Sequence, residues 1–119
     1  MNINWVLVFF ILSPGLVIAG EADVLDVKIR PVDGDTFAID TTVQHSDTGW
    51  DHYANAWEVL DESGHVLGSR ILLHPHVDEQ PFTRSNTVII PEGVKKIIVR
   101  ANDLVHGLGG KTVTLEVPR

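Results

Sequence analysis

The chain has 119 residues, of which 44% are hydrophobic and 21% charged, a balance typical of one folded domain rather than a disordered chain. A formal net charge of -7 and the lack of any Lys or Arg cluster exclude a surface that follows a nucleic-acid backbone, so we expect no nucleic-acid partner. The absence of cysteine excludes disulfides, thiolate nucleophiles and cysteine-ligated metal sites, whereas six histidines are many for so small a protein.

The N-terminal residues predict a secretory signal peptide. An apolar run over residues 5–12 is interrupted by Ser-Pro-Gly at 13–15, and small residues that suit signal peptidase follow at Ala19, Gly20 and Ala22. We expect cleavage near 19–22, so that residues 1–22 form the signal peptide and residues 23–119 a periplasmic or secreted β-sandwich domain. The alternative is a retained membrane anchor, but the interruption leaves the apolar span short of the about 20 residues that crossing requires. We therefore expect no stable membrane insertion after processing.

The remainder of the chain has the pattern of an all-β domain. Short runs rich in Val, Ile, Thr and aromatic residues alternate in polarity and are separated by clusters of Gly, Pro, Asp and Ser. The pattern predicts seven strands, at residues 24–30, 36–44, 53–60, 65–73, 82–90, 96–101 and 112–117. In the third strand we expect Tyr53, Trp57 and Val59 on one face and Ala54 and Ala56 on the other. Strands of this length and spacing indicate a seven-stranded antiparallel immunoglobulin-like β-sandwich.

The C-terminal half carries a Pro-Glu-Gly turn at 91–93, the strand segment Ile-Val-Arg-Ala-Asn at 98–102, a glycine-rich loop and a final strand. This arrangement resembles fibronectin type III and related immunoglobulin-like domains. The resemblance implies a β-sandwich fold, and it carries no information about function because this fold hosts many activities.

Five of the six histidines are expected at one end of this sandwich. If the strands run up and down, the loop between the second and third strands, the end of the fourth strand and the end of the sixth strand all meet there. The candidate metal ligands at this end are His45, His52, His74, His76, His106 and Asp103. His65 follows the turn between the third and fourth strands and belongs to the opposite end.

The chemistry of these side chains indicates a transition-metal site. Residues i and i+2 of an extended segment point to the same side, so His74 and His76 can offer both rings to one ion. Neutral imidazole favours copper, zinc or iron, and nearby carboxylates can ligate the ion or fix the orientation of a ring. The alternative is that these histidines are ordinary polar loop residues at the ends of strands.

Two segments strengthen this interpretation. Residues 45–59, HSDTGWDHYANAWEV, and residues 101–108, ANDLVHGL, are similar to the iron-site segments of superoxide reductases and desulfoferrodoxins. In that family a sandwich of this class holds a mononuclear iron through four histidines and one cysteine. The resemblance implies that His45, His52 and His106 lie at iron-ligand positions and that Asp103 lies where the family has its cysteine.

We therefore expect a secreted or periplasmic protein that binds or carries copper, zinc or iron. Binding is favoured over catalysis, and the enzymatic alternative is a metal-dependent redox reaction of the kind that superoxide reductases perform. A third possibility is a non-catalytic interaction module of the cell envelope, whose loops or edge strand bind another envelope protein.

Overall fold

The computed structural model describes residues 20–119. The expected signal peptide therefore lies almost wholly outside the described residues. Seven strands follow in chain order: β1 (Asp23–Asp33), β2 (Thr36–Gln44), β3 (Ala54–Asp61), β4 (Val66–Ile71), β5 (Phe82–Ile89), β6 (Lys96–Asp103) and β7 (Val113–Glu116). They form two antiparallel sheets, with strand orders β1-β2-β5 and β4-β3-β6-β7. The prediction of an all-β sandwich with seven antiparallel strands is confirmed.

The core lies between the two sheets. Its largest buried side chains are Phe37 from β2, Trp57 from β3 and Phe82 from β5, with Ile39 and Val99 filling the space around them. Each such side chain contributes about 1.5–3 kcal/mol to the free energy of folding through removal of apolar surface from water. This core holds the strand ends in place, and therefore also the loops that extend from them.

One expectation about β3 is wrong. Ala54 is fully buried together with Trp57, although an uninterrupted strand would place these two residues on opposite faces. A register shift between Ala54 and Ala56, in the pairing of β3 with β6, reverses the side-chain alternation at this point. Tyr53 precedes the strand and is only half-buried. The irregularity turns the start of β3 towards the core.

The strand boundaries also differ from the sequence prediction. The first strand continues through Pro31 to Asp33, which is tolerated because β1 is an edge strand of its sheet. The fourth strand is shorter than predicted and leaves His65 outside it, in the turn. The sixth strand extends two residues beyond Ala101, so that Asp103 belongs to β6. This last difference matters most for the candidate site.

The histidine end, defined here by the loops 45–53, 72–81 and 104–112, is the end of the sandwich where most of the histidines lie. Ala54 at the start of β3 pairs with Asp103 at the end of β6, and Val43 near the end of β2 pairs with Phe82 at the start of β5. The N-terminal strand also begins there, since Asp23 pairs with Gln44. The histidine end therefore collects three loops and the segment that enters β1.

Candidate metal centre

Asp103 is a carboxylate at a position where the alternation of β6 predicts a buried side chain. Along β6 the buried residues alternate as Ile97, Val99, Ala101 and Asp103, and the last of these is 1% exposed. Burying an unpaired carboxylate is costly, so its oxygens require partners. The tight turn that follows supplies two of them, because the backbone N–H groups of Val105 and His106 donate hydrogen bonds to Asp103.

Three histidine rings surround this carboxylate. Nε2 of His52 lies 3.1 Å from it, Nδ1 of His106 lies 2.7 Å from Oδ2, and Nε2 of His45 lies 3.5 Å from Oδ2. The rings of His45 and His52 meet edge to face with centroids 4.7 Å apart. Because the end of β2, the start of β3 and the end of β6 all lie at the histidine end, residues that are distant in the sequence reach one carboxylate.

His45, His52 and Asp103 each offer one ligand atom, and these three atoms lie within 4.8 Å of one another. Two ligands that each lie about 2.0–2.2 Å from a tetrahedral ion are separated by about 3.3–3.6 Å. The separations of 3.1 and 3.5 Å between the histidine nitrogens and Asp103 are close to that value. The side chains of His45 and Asp103 are inaccessible to solvent, whereas that of His52 is 21% exposed, so the cluster opens on the His52 side.

The hydrogen bonds on Asp103 also set its charge. Burial acts to raise the pKa of this carboxyl, but hydrogen bonds from Val105, His106 and His52 and the proximity of His45 outweigh that effect, so its pKa lies below the ordinary value. Asp103 is therefore a carboxylate at neutral pH. An ionised oxygen donor is the form that a metal cation binds.

Asp47 supports His45 from the far side of the ring. Its Oδ1 lies 2.5 Å from Nδ1 of His45 and also accepts a hydrogen bond from the backbone N–H of Ala54. Its Oδ2 accepts a 2.7 Å hydrogen bond from the backbone N–H of His76. A carboxylate that binds Nδ1 fixes the ring and directs Nε2 towards Asp103, the arrangement common behind metal-binding histidines.

Gln80 is a second supporting residue, and nothing in the sequence pattern indicated it. Its side-chain oxygen accepts a hydrogen bond from the backbone N–H of His45, and its nitrogen donates to the carbonyl of His76. Gln80 thus ties the loop after β4 to the end of β2. Its role depends on the path of two loops, which local sequence does not encode.

His74 and His76 lie at the histidine end but apart from the Asp103 cluster. Their ring centroids are 4.6 Å from each other, as their spacing predicted, and His76 stacks on Phe82 with centroids 3.9 Å apart. Nε2 of His76 accepts a hydrogen bond from Arg84, and burial, followed by the charge of Arg84, lowers the pKa of His76. This ring is accordingly held neutral between an aromatic ring and a guanidinium.

The remaining candidates are placed as follows. His106 contacts the cluster through Asp103 and keeps 40% of its side chain exposed, so it lies beside the opening. His65 lies at the opposite end of the sandwich, where its ring is 3.2 Å from Asp61, in accord with the strand path expected from the sequence. The structure thus brings His45, His52, His106 and Asp103 together and leaves His74 and His76 as a separate pair.

Comparison with known proteins gives one informative relative. The chain is 41% identical over 96 residues to a protein of Halomicrobium mukohataei whose recorded name is "Putative lipoprotein". The match covers 81% of this chain and 47% of the relative, so the chain spans about half the length of that protein.

The other comparisons return nothing. No family model matches the chain, and no solved structure shows significant similarity to it. None of the comparisons supports the resemblance to superoxide reductases. Within residues 20–119, no helix has the length and apolar character needed to traverse a bilayer.

Proposed function

We propose that this protein binds a transition-metal ion through His45, His52 and Asp103 and acts outside the cytoplasm as a metal-binding or metal-carrying protein. The observation that carries the proposal is the convergence of these three ligand atoms within 4.8 Å around a buried carboxylate. A solvated surface cluster of acidic groups is common without a metal. A buried carboxylate encircled by histidine nitrogens is a more demanding arrangement, because each buried charge must be compensated.

The donor set favours particular metals. Two imidazoles and one carboxylate suit zinc or copper(II), whereas copper(I) prefers sulfur ligands and the chain contains no cysteine. Replacement of a thiolate by Asp103 likewise removes the soft ligand that the resemblance to superoxide reductases would require. Redox catalysis therefore forms no part of the proposal.

The location outside the cytoplasm rests on two features that agree. The N-terminal residues have the composition of a signal peptide, and a relative bears a name that assigns it to the lipoproteins. Only the extracytoplasmic location is transferred from that relative.

The test is metal analysis and titration of protein expressed without a histidine tag and secreted by its host. We expect Zn²⁺ or Cu²⁺ at one equivalent, with a dissociation constant below about 1 μM, corresponding to more than about 8 kcal/mol of binding free energy. His52→Ala removes a partly exposed ligand and should weaken binding at least about tenfold, as expected for loss of a ligand or its supporting contact. The matched control is His65→Ala at the opposite end, which should bind like the parent protein.

A protein that retains no metal and binds none in the micromolar range would contradict the proposal. Equal effects of His52→Ala and His65→Ala would contradict the assignment of the site. If no metal binds, the interaction module becomes the better hypothesis, and one observation favours it. The three loops of the histidine end expose large apolar side chains, with Trp50, Leu73 and Val105 exposed by 65%, 75% and 59%.

A further inference from the structure

The segment that precedes β1 runs directly against the candidate centre. The carbonyl oxygen of Gly20 lies 3.1 Å from Nε2 of His45, the nitrogen that also faces Asp103. A carbonyl oxygen is an electron-pair donor, so it can face either a ring proton or a cation bound at Nε2. In the proposed function Nε2 of His45 binds the metal. The Gly20 oxygen already lies at about the distance from that nitrogen that separates two ligands of one metal ion.

This segment is held firmly in its position. Ala22 is fully buried, the backbone N–H of Lys111 donates a 2.8 Å hydrogen bond to the side chain of Asp23, and Val24 donates to the carbonyl of Lys111. The loop before Lys111 approaches so closely that a Cβ at Gly110 would lie 2.0 Å from the carbonyl oxygen of Ala22. Only glycine at position 110 permits that contact between the two backbones.

We propose that the carbonyl oxygen of Gly20 is the fourth ligand of the metal, and this inference rests on the proposed function. The Gly20 oxygen lies 3.1 Å from Nε2 of His45, close to the separation expected for two ligands of one tetrahedral ion. The same nitrogen lies 3.5 Å from Oδ2 of Asp103, so an ion bound at Nε2 would have both oxygens at ligand-to-ligand distance from that nitrogen. Two nitrogens and two oxygens complete the coordination.

The position of Gly20 depends on a loop that contributes no ligand. Gly110 therefore acts as a positioning residue, because its contact with Ala22 sets the path of the backbone from Gly20 to β1. The inference also bears on processing. Cleavage after Ala19 would retain the Gly20 ligand, whereas cleavage after Gly20 or Ala22 would remove it.

A direct test follows the Gly20 carbonyl in the unaltered secreted domain. Gly20–Glu21 is the single Gly-Glu pair of the sequence, so labelling glycine with ¹³C at the carbonyl and glutamate with ¹⁵N gives one NMR signal for it. Gly93–Val94 is the single Gly-Val pair and lies in the turn near Asp61 at the opposite end, so a second sample with ¹⁵N-valine in place of ¹⁵N-glutamate provides the control signal. Addition of Zn²⁺ should move the Gly20 carbonyl signal until one equivalent is bound and leave the Gly93 signal in place.

The second test uses Gly110→Ala, which must displace the Ala22 backbone and should weaken Zn²⁺ binding by about tenfold, as for loss of a group that orients a ligand. Its matched control is Gly93→Ala, since a Cβ at Gly93 meets nothing within 4 Å. If Gly110→Ala does not fold, the labelling experiment decides alone. Zinc that binds to the parent protein without moving the Gly20 signal overturns the inference and leaves the proposed function standing. If no zinc binds at all, both fail.

Discussion

Asp47 and His45 form a contact of 2.5 Å between Oδ1 and Nδ1, and neither side chain is accessible to solvent. The same carboxylate accepts backbone hydrogen bonds from Ala54 and His76, so it joins the end of β2, the start of β3 and the loop after β4. Asp47 is thus both the support of a candidate metal ligand and the structural centre of the histidine end.

Asp47→Asn should destabilise the fold. The amide keeps the shape of the side chain but replaces one of its two acceptor oxygens with a donor, which leaves a buried partner unsatisfied. We expect a loss of about 2–4 kcal/mol in the free energy of unfolding, measured by urea denaturation. Asp51→Asn, in the exposed part of the same loop, is the control and should change stability by less than about 0.5 kcal/mol. A stability of Asp47→Asn equal to that of the control would show that the buried network contributes little.

The sequence predicted the strands well because alternation of polarity is a local property. It also contained the signal for the burial of Asp103, since Ile97, Val99 and Ala101 set an alternation that continues to position 103. Because the predicted sixth strand ended at Ala101, the alternation was not extended to Asp103. The convergence of loops at one end followed from the up-and-down strand path, and the placement of His65 at the other end agrees with it.

What the sequence could not provide depends on how loops fold back. The roles of Asp47 and Gln80 require the loops 45–53 and 72–81 to pass each other, and no local pattern determines such a passage. The spacing of His74 and His76 correctly indicated neighbouring rings. It could not indicate that those rings face Phe82 and Arg84 instead of Asp103, because that depends on where β5 begins.

His74→Ala should leave metal affinity unchanged within about twofold, because its ring is exposed and bonds to the carbonyl of Pro75 away from Asp103. This expectation replaces the view that His74 and His76 are paired ligands. The measurement is calorimetric titration with Zn²⁺ beside His52→Ala. If His74→Ala lost as much zinc affinity as His52→Ala, the metal would lie at the pair His74 and His76 and not at Asp103.

Zinc should stabilise the parent protein and fail to stabilise Asp103→Asn. A ligand that binds only the folded state adds about 2.7 kcal/mol at a concentration of one hundred times its dissociation constant. Asp103→Asn removes the ionised donor while retaining side-chain shape, so the increase in melting temperature on addition of Zn²⁺ should largely disappear. Because the asparagine variant also loses buried hydrogen bonds, the comparison is the zinc-dependent shift within each protein. An undiminished shift in Asp103→Asn would exclude Asp103 as a ligand.

The mature chain should begin at Gly20. Ala22 is fully buried and Asp23 is bonded to the loop at Lys111, so removal of residues through Ala22 would take away part of the packed domain. The Gly20 ligand inferred above further favours cleavage after Ala19. Intact-mass measurement of secreted protein tests this expectation. A retained segment before Ala19 would indicate a membrane anchor, and a first residue of Asp23 would show that the domain does not need its N-terminal segment.

Acid should destabilise the protein partly through His76. Burial and the nearby charge of Arg84 lower the pKa of His76 in the folded state, whereas in the unfolded chain it stays near about 6.5. Below that pH the unfolded chain binds a proton that folded His76 resists, so the free energy of unfolding falls as pH decreases from about 6.5 towards the lowered pKa. The contribution of His76 is therefore present above about pH 6.5 and lost below it.

His76→Gln tests this expectation because glutamine cannot titrate. With EDTA present, the free energy of unfolding of this variant should fall less steeply between about pH 7.5 and 5.5 than that of the parent protein. Its absolute stability can drop through loss of the stacking on Phe82, so the comparison is between the two slopes. An equal slope for His76→Gln and the parent protein would show that His76 is protonated in the fold as readily as in the unfolded chain.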